Sequence, residues 1–191
     1  MAEETCGCAG HAGAGAKGAA AGAAGGEGIA DRRPGWDEYF MHIAHVVKLR
    51  ANCSRRMVAA VIVKDRRIIS TGYNGTPRGV RNCFEGRCPR CAGTAPSGSA
   101  LDECICSHAE ENAIVQSAYH GISTKGGTIY VTLNPCLTCA KMIINAGIAE
   151  VVYDEEYRFS AQTKALFEEA GVVCRKYAGS RAWEARGEAG R

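Results

Sequence analysis

The sequence predicts an α/β protein, a layered sheet flanked by helices and built as one principal domain within 191 residues. Three observations carry this prediction. Short runs rich in Val and Ile alternate with segments of helical periodicity, the pattern of a sheet covered by helices. The length suits one core and is short for two. The apolar share of 46% and the charged share of 23% are ordinary for a globular chain.

Residues 1–33 are dominated by Ala and Gly and hold almost no large apolar side chain. Such a stretch buries too little surface to offset its ordering entropy, so it is expected to be a disordered tail. It carries Cys6, Cys8 and His11, a spacing that can grip a metal ion and is also short enough to be incidental. The folded domain, residues 34–177, opens at Pro34-Gly35-Trp36. Trp36, Phe40, Ile43, Val47 and Ala51 recur at three- and four-residue steps, which predicts an amphipathic helix over 36–51. Residues 57–63 form a continuous apolar run, hence a buried strand; Asp65-Arg66-Arg67 turns it, and 68–73 returns as a second strand. Asn74-Gly75-Thr76-Pro77 then breaks regular structure.

Residues 79–107 form a long connection holding Cys83, Cys88, Cys91, Cys104 and Cys106. A structureless loop of that length needs a reason, and a bound metal supplies one. Helical periodicity resumes over 108–119, with Ala109, Ala113, Ile114 and Ala118 inward. A strand at 127–133, a helix at 135–145 ended by Gly147, and a strand at 149–153 follow. A helix at 161–170 ended by Gly171 and a last strand at 172–175 complete the domain. Residues 178–191 are small and polar, a flexible C-terminal tail.

The net charge of +3 lacks the strongly basic surface of a duplex-binding protein, so no nucleic acid partner is expected. It suits a small phosphorylated substrate. The start of the chain has no basic, apolar leader, and no run approaches membrane-spanning length. A cytoplasmic chain is expected, and there the eleven cysteines read as metal ligands before disulfides.

Two motifs carry the chemistry: His108-Ala109-Glu110 and Pro135-Cys136-Leu137-Thr138-Cys139. Each is expected at a helix start, with Pro135 fitting the first helical position. Cys136 and Cys139, three apart, fall on one helical face, and the positive helix end favours thiolates. With His108 they give three zinc ligands and leave a fourth tetrahedral position for water, which separates a catalytic zinc from a structural one. Glu110, two residues from His108, stands close to the metal without needing to bind it, the place for a proton carrier. Either motif alone is weak; a Cys-x-x-Cys also serves redox pairs and zinc fingers. Together they are the pattern of zinc nucleobase deaminases.

Further pieces agree: Asn52-Cys53-Ser54-Arg55-Arg56, Gly72-Tyr73-Asn74-Gly75-Thr76-Pro77-Arg78-Gly79, Asn82-Cys83-Phe84-Glu85-Gly86, Cys88-Pro89-Arg90-Cys91 and Leu101-Asp102-Glu103-Cys104-Ile105-Cys106. From Trp36 to about Lys176 the chain resembles the deoxycytidylate (dCMP) deaminase family, especially its fungal-like branch. The resemblance implies a cytidine-deaminase-like three-layer fold, a five-stranded mixed sheet flanked by helices. It implies hydrolysis of dCMP to dUMP and ammonia, feeding thymidylate supply. It also implies that Asn74 contacts sugar or base, that Tyr157 lies near the nucleotide, and that Ala109 and Asn134 offer backbone groups to the base edge. Asn74 suits a turn before Gly75 equally well, and Tyr157 an ordinary half-buried aromatic. Arg55, Arg56 and Arg78 are phosphate candidates by chemistry, with no spacing to choose among them. Family members are often homo-hexamers, activated by dCTP and inhibited by dTTP.

Some members of the family also hold a second, structural zinc. A closed site takes four ligands, and six thiols compete for it. The preferred set is Cys83, Cys88, Cys91 and Cys106, with Cys53 or Cys104 as substitutes; Cys174 reads as core. Competing functions are another deaminase of the same fold, acting on tRNA adenosine, a free base or a pterin-like ring, and a non-enzymatic zinc module. The module has no use for Glu110 beside an open zinc position.

Overall fold

Trp36, Phe40, Ile43 and Val47 lie on one stripe of a helix because their spacing follows its 3.6-residue turn. In the computed structural model this helix, α1 (Trp36–Lys48), buries Phe40, Met41 and Ala44. The structure describes residues 33–96, 99–100 and 103–180. Residues 1–32 of the expected tail, with Cys6, Cys8 and His11, lie outside the described residues, as do Leu101, Asp102 and residues 181–191 of the C-terminal tail.

The five expected strands all form: β1 (Ala59–Lys64), β2 (Arg67–Tyr73), β3 (Thr128–Leu133), β4 (Glu150–Glu155) and β5 (Val173–Lys176). They make one mixed sheet in the order β2-β1-β3-β4-β5. β1 runs antiparallel to both β2 and β3, while β3, β4 and β5 are parallel. The two-residue turn Asp65-Arg66, with φ of 50° and 58°, joins β1 to β2; that left-handed geometry matches the twist of the flanking strands. Parallel strands need crossovers, and the helices supply them. α4 (Leu137–Asn145) links β3 to β4, and α5 (Ala161–Glu169) links β4 to β5; α3 (Ala109–Tyr119) precedes β3.

Alternating side chains divide the central strands between two faces. Val61, Val63, Tyr130 and Val152 pack with Phe40, Met41 and Ala44 of α1. Ala60, Ile62, Ile129, Val131 and Val151 pack with Ala109 and Ala113 of α3, Ala140 and Ile143 of α4, and Phe167 of α5. Three layers result, and each fully buried aliphatic side chain contributes about 1.5–3 kcal/mol of burial. α1 is also tied down electrostatically. Arg175 Nη1 lies 2.7 Å from Asp37 Oδ2 and its Nε 2.8 Å from Glu150 Oε1, while the Tyr130 hydroxyl donates to Asp37 at 2.8 Å. The Arg175 guanidinium holds the Asp37 carboxyl below its ordinary value.

Most boundaries shift by a residue or two, and four differences matter. α1 stops at Lys48, not Ala51. The first strand begins at Ala59 because Met57 is exposed and Val58 is pinned sideways to Asn74. The long connection contains a 3-10 turn at Cys83–Glu85 and a one-turn helix, α2 (Pro89–Ala92). Pro135 sits ahead of α4, whose N-cap is Cys136. No helix among the described residues is long and apolar enough to cross a membrane.

Candidate active site

α3 approaches β2 so closely that only glycine fits beneath it. A Cβ on Gly72 would stand 2.2 Å from the Ala109 carbonyl oxygen and 2.4 Å from the Ala113 nitrogen. The Ser70 hydroxyl donates to the Ala113 carbonyl at 2.7 Å and fixes the same contact. At the head of α3, His108 is the N-cap in extended conformation, and its backbone N–H donates to the Glu111 carboxylate at 3.1 Å. The carboxyl end of β3 runs through Asn134 and Pro135 into Cys136, the N-cap of α4, with Cys139 in the first turn. The two helix starts therefore face each other.

His108 Nδ1 lies 3.4 Å from Cys136 Sγ and 3.4 Å from Cys139 Sγ, and the three ligand atoms lie within 4.8 Å of one another. Zinc bonds of about 2.0–2.1 Å to nitrogen and about 2.3 Å to sulfur give N···S edges of about 3.5 Å in a tetrahedron, so the triad fits zinc. Its electrostatics agree. The Cys139 thiol, donating to Cys136, lowers the Cys136 pKa to about 4, with the His108 ring helping. The same hydrogen bond and burial push Cys139 up, while Cys136 raises His108 to about 9. Without a cation the group keeps protons that a dication would displace. Glu110, only 4% exposed, is pushed up to about 7 by burial, against the pull of its own backbone N–H and of His108.

His108, Cys136 and Glu110 open on a cavity of about 340 Å³, while Cys139 is buried. Asn74, Ala109, Asn134 and Tyr157, all expected near the nucleotide, line it. Asn134 Oδ1 accepts the backbone N–H of Tyr157 at 2.5 Å. Both ends of the Asn74 amide serve the backbone: Nδ2 donates to the Arg56 carbonyl and Oδ1 accepts from Val58 N–H, each at 2.8 Å. That leaves it one amide hydrogen and one lone pair. A Cβ on neighbouring Gly75 would fall 2.4 Å from Asn52 Oδ1, which accepts the Thr76 N–H.

Of the three phosphate candidates, Arg55 and Arg56 line the cavity. Arg78 does not; it covers the Tyr119 ring at 5.0 Å. Two cavity arginines escaped the sequence reading. Arg158 stacks on one side of Tyr157 at 5.4 Å, with Arg56 also over the ring at 4.2 Å. Arg90 donates to the Ser99 carbonyl at 2.9 Å. Each sits inside or beside a motif already singled out, which was the signal available, but guanidinium identity alone selects nothing.

Cys53, Cys83, Cys88, Cys91, Cys104 and Cys106 gather in a second cluster. The preferred foursome does not form as such. Cys83 falls with Cys53, Cys91 and Cys106, whereas Cys88 falls with Cys91, Cys104 and Cys106. Cys174, half-buried on β5, packs against the core.

One nitrogen, two sulfurs and an adjacent buried carboxyl at paired helix starts are the ingredients of a hydrolytic zinc site. A family profile for the zinc-binding region of cytidine and deoxycytidylate deaminases matches residues 34–155. The deoxycytidylate deaminase of Schizosaccharomyces pombe is 46% identical over 145 residues, 76% of this chain and 45% of that protein. That of Mycobacterium phage D29 is 43% identical over 129 residues, 65% of this chain and 98% of its own. The dCMP deaminase of the cyanophage S-TIM5, solved with dCMP and dUMP, superimposes with a TM-score of 0.63 at 32% identity. That match covers 76% of this chain and 98% of the cyanophage protein. The chain belongs to the cytidine and deoxycytidylate deaminase family. It spans a little under half the length of the fission yeast relative.

Proposed function

We propose that this chain hydrolyses dCMP to dUMP and ammonia. The observation that carries the reading is the His108 nitrogen, 3.4 Å from both the Cys136 and Cys139 sulfurs, beside the buried Glu110 in one cavity. The dCMP deaminases among the relatives support the substrate. His108, Cys136 and Cys139 hold zinc, which supplies a Lewis acid that makes water nucleophilic at neutral pH.

Glu110 then does the proton work. Its carboxylate takes a proton from the attacking water as the new C–O bond forms at C4 of the base, and passes it to ring N3. It takes the remaining hydroxyl proton as the carbonyl forms and delivers it to the amino group as the C4–N bond breaks, so ammonia leaves. A carboxyl raised towards neutrality by burial both accepts and donates readily. Backbone groups at Ala109 and Asn134 meet the base edge, and Tyr157 and Asn74 flank the nucleoside. Arg55, Arg56, Arg90 and Arg158 supply the cations that a phosphate requires.

The same reading includes a second, structural zinc on the six-cysteine cluster and a homo-oligomer, a hexamer by resemblance. Val115, Tyr119 and Ile122, exposed around the end of α3, offer apolar surface for assembly. Response to dCTP and dTTP belongs to it too. So does a cytoplasmic setting, in which the nine described cysteines, all free, stay reduced.

Ammonia release from dCMP, cytidine, adenosine and guanine tests the substrate: dCMP is expected to be turned over best, and no turnover of it would overturn the proposal. Glu110→Gln is expected to lower kcat by about 10²- to 10⁴-fold with zinc per chain unchanged. Retained activity in that variant removes Glu110 from the mechanism.

A further inference from the structure

We infer that the six clustered cysteines hold two metal ions as a binuclear thiolate site, with Cys91 and Cys106 bridging. This deepens the single second zinc proposed above and rests on the same thiols being metal-bound. The sulfurs of Cys53, Cys83, Cys91 and Cys106 all lie within 4.8 Å of one another, and so do those of Cys88, Cys91, Cys104 and Cys106. Each foursome alone has the make-up of a closed tetrathiolate site. Cys91 and Cys106 are the members common to both. Two tetrahedra that share an edge need six sulfurs, and six are gathered here.

The spacings fit. Zinc–sulfur bonds of about 2.3 Å give tetrahedral edges of about 3.8 Å. Cys53 to Cys91 is 3.8 Å, an edge of the first foursome; Cys88 to Cys104 at 3.8 Å and Cys91 to Cys104 at 3.6 Å are edges of the second. One metal in either foursome would leave a pair of thiols pressed against its thiolates without a role. Two metals employ every sulfur, and the filled cluster carries the same net charge as one zinc on four thiolates.

Hydrogen bonds go where a shared edge would put them. The Ser54 N–H donates to Cys83 at 3.5 Å and the Ile105 N–H to Cys88 at 3.4 Å. Both are terminal sulfurs in this arrangement, with lone pairs left to accept, as thiolate ligands usually do from nearby amides. A bridging sulfur spends two lone pairs on metal. An all-sulfur donor set favours zinc or another soft, thiophilic ion.

Native mass spectrometry of the zinc-loaded full chain, carrying Cys6→Ser and Cys8→Ser to remove the tail thiols, tests the assignment. Three zinc ions per chain are expected. Two would overturn the bridged pair and leave the single structural zinc standing; one would overturn both. A second measurement rests on coupling rather than on a count: cadmium-113 exchanged into the unaltered chain is expected to give two tetrathiolate resonances, split by coupling through the shared sulfurs, beside an uncoupled one from the His108, Cys136 and Cys139 site. Tetrathiolate resonances without that splitting overturn the bridge.

Discussion

At the residue scale the sequence constrains the proposed zinc ligands far more tightly than the candidate phosphate cations. Zinc chemistry restricts the ligand types, and a helix start restricts their spacing, so His108, Cys136, Cys139 and Glu110 could be read from two short motifs. A guanidinium carries no such constraint. Arg78 looked as good as Arg56 until the structure put it over Tyr119, outside the cavity. Arg56 instead lies over Tyr157 within the wall. Arg56→Ala is therefore expected to raise KM for dCMP by roughly tenfold, since hydrogen bonds to charged groups contribute about 1.5–3 kcal/mol. It should leave kcat within a few fold, and Arg78→Ala should leave both unchanged. Steady-state kinetics on dCMP decide this. Equal losses in the two variants would return Arg78 to the site. Asn74 teaches a related lesson. Its amide spans a turn to hold the backbone of Arg56 and Val58, a role that depends on a partner sixteen residues away and leaves no local mark.

Elements were legible wherever periodicity ran long enough. All five strands and the four longer helices were expected, because a short Val- or Ile-rich run suffices to mark a strand and helices of nine residues or more show their period. α2 has four residues, less than the distance over which a helical repeat can declare itself, and its Cys-Pro-Arg-Cys sequence reads first as ligands. The ends of elements were set by side-chain anchors rather than by hydrophobicity, as at Ala59. The anchor between α1 and the sheet makes a testable case. Asp37 has its folded pKa lowered by Arg175, so its contribution is complete above the unfolded carboxylate value near about 4 and is lost as pH falls through the folded value. Asp37→Asn should therefore melt below the native chain at pH 7, with the gap closing at acid pH. Both partners are about 40% exposed, so screening keeps the effect under about 1 kcal/mol. Thermal melts at two pH values measure it, and a pH-independent gap would mean packing rather than charge.

For the whole molecule, the sheet topology decides where chemistry can occur. β3 has an antiparallel neighbour on one side and a parallel one on the other. Its carboxyl end thus delivers Cys136 beside the head of α3, while the loop beyond β4 brings Tyr157 and Arg158 across the same opening. The overall architecture followed from alternating patterns in the sequence, but the convergence of the six cysteines could not: spacing offers several foursomes, and only three-dimensional folding shows that two of them overlap. The layer spacing is a further property of the whole. Gly72→Ala is expected to cost about 1–3 kcal/mol, the usual range for overpacking, and to lower kcat more than it raises KM. Melting temperature and kinetics on the same sample check both halves; a loss of stability with full kcat would separate the two. With no side chain at Gly72, the distance between sheet and helix is as small as backbone contact allows. His108 and Glu110 ride on that helix, so the height of the reacting groups is a hard stop against the strand below, a machined tolerance rather than an adjustable one. Loops could be reshaped freely around such a datum surface and still leave His108 and Glu110 at the same elevation.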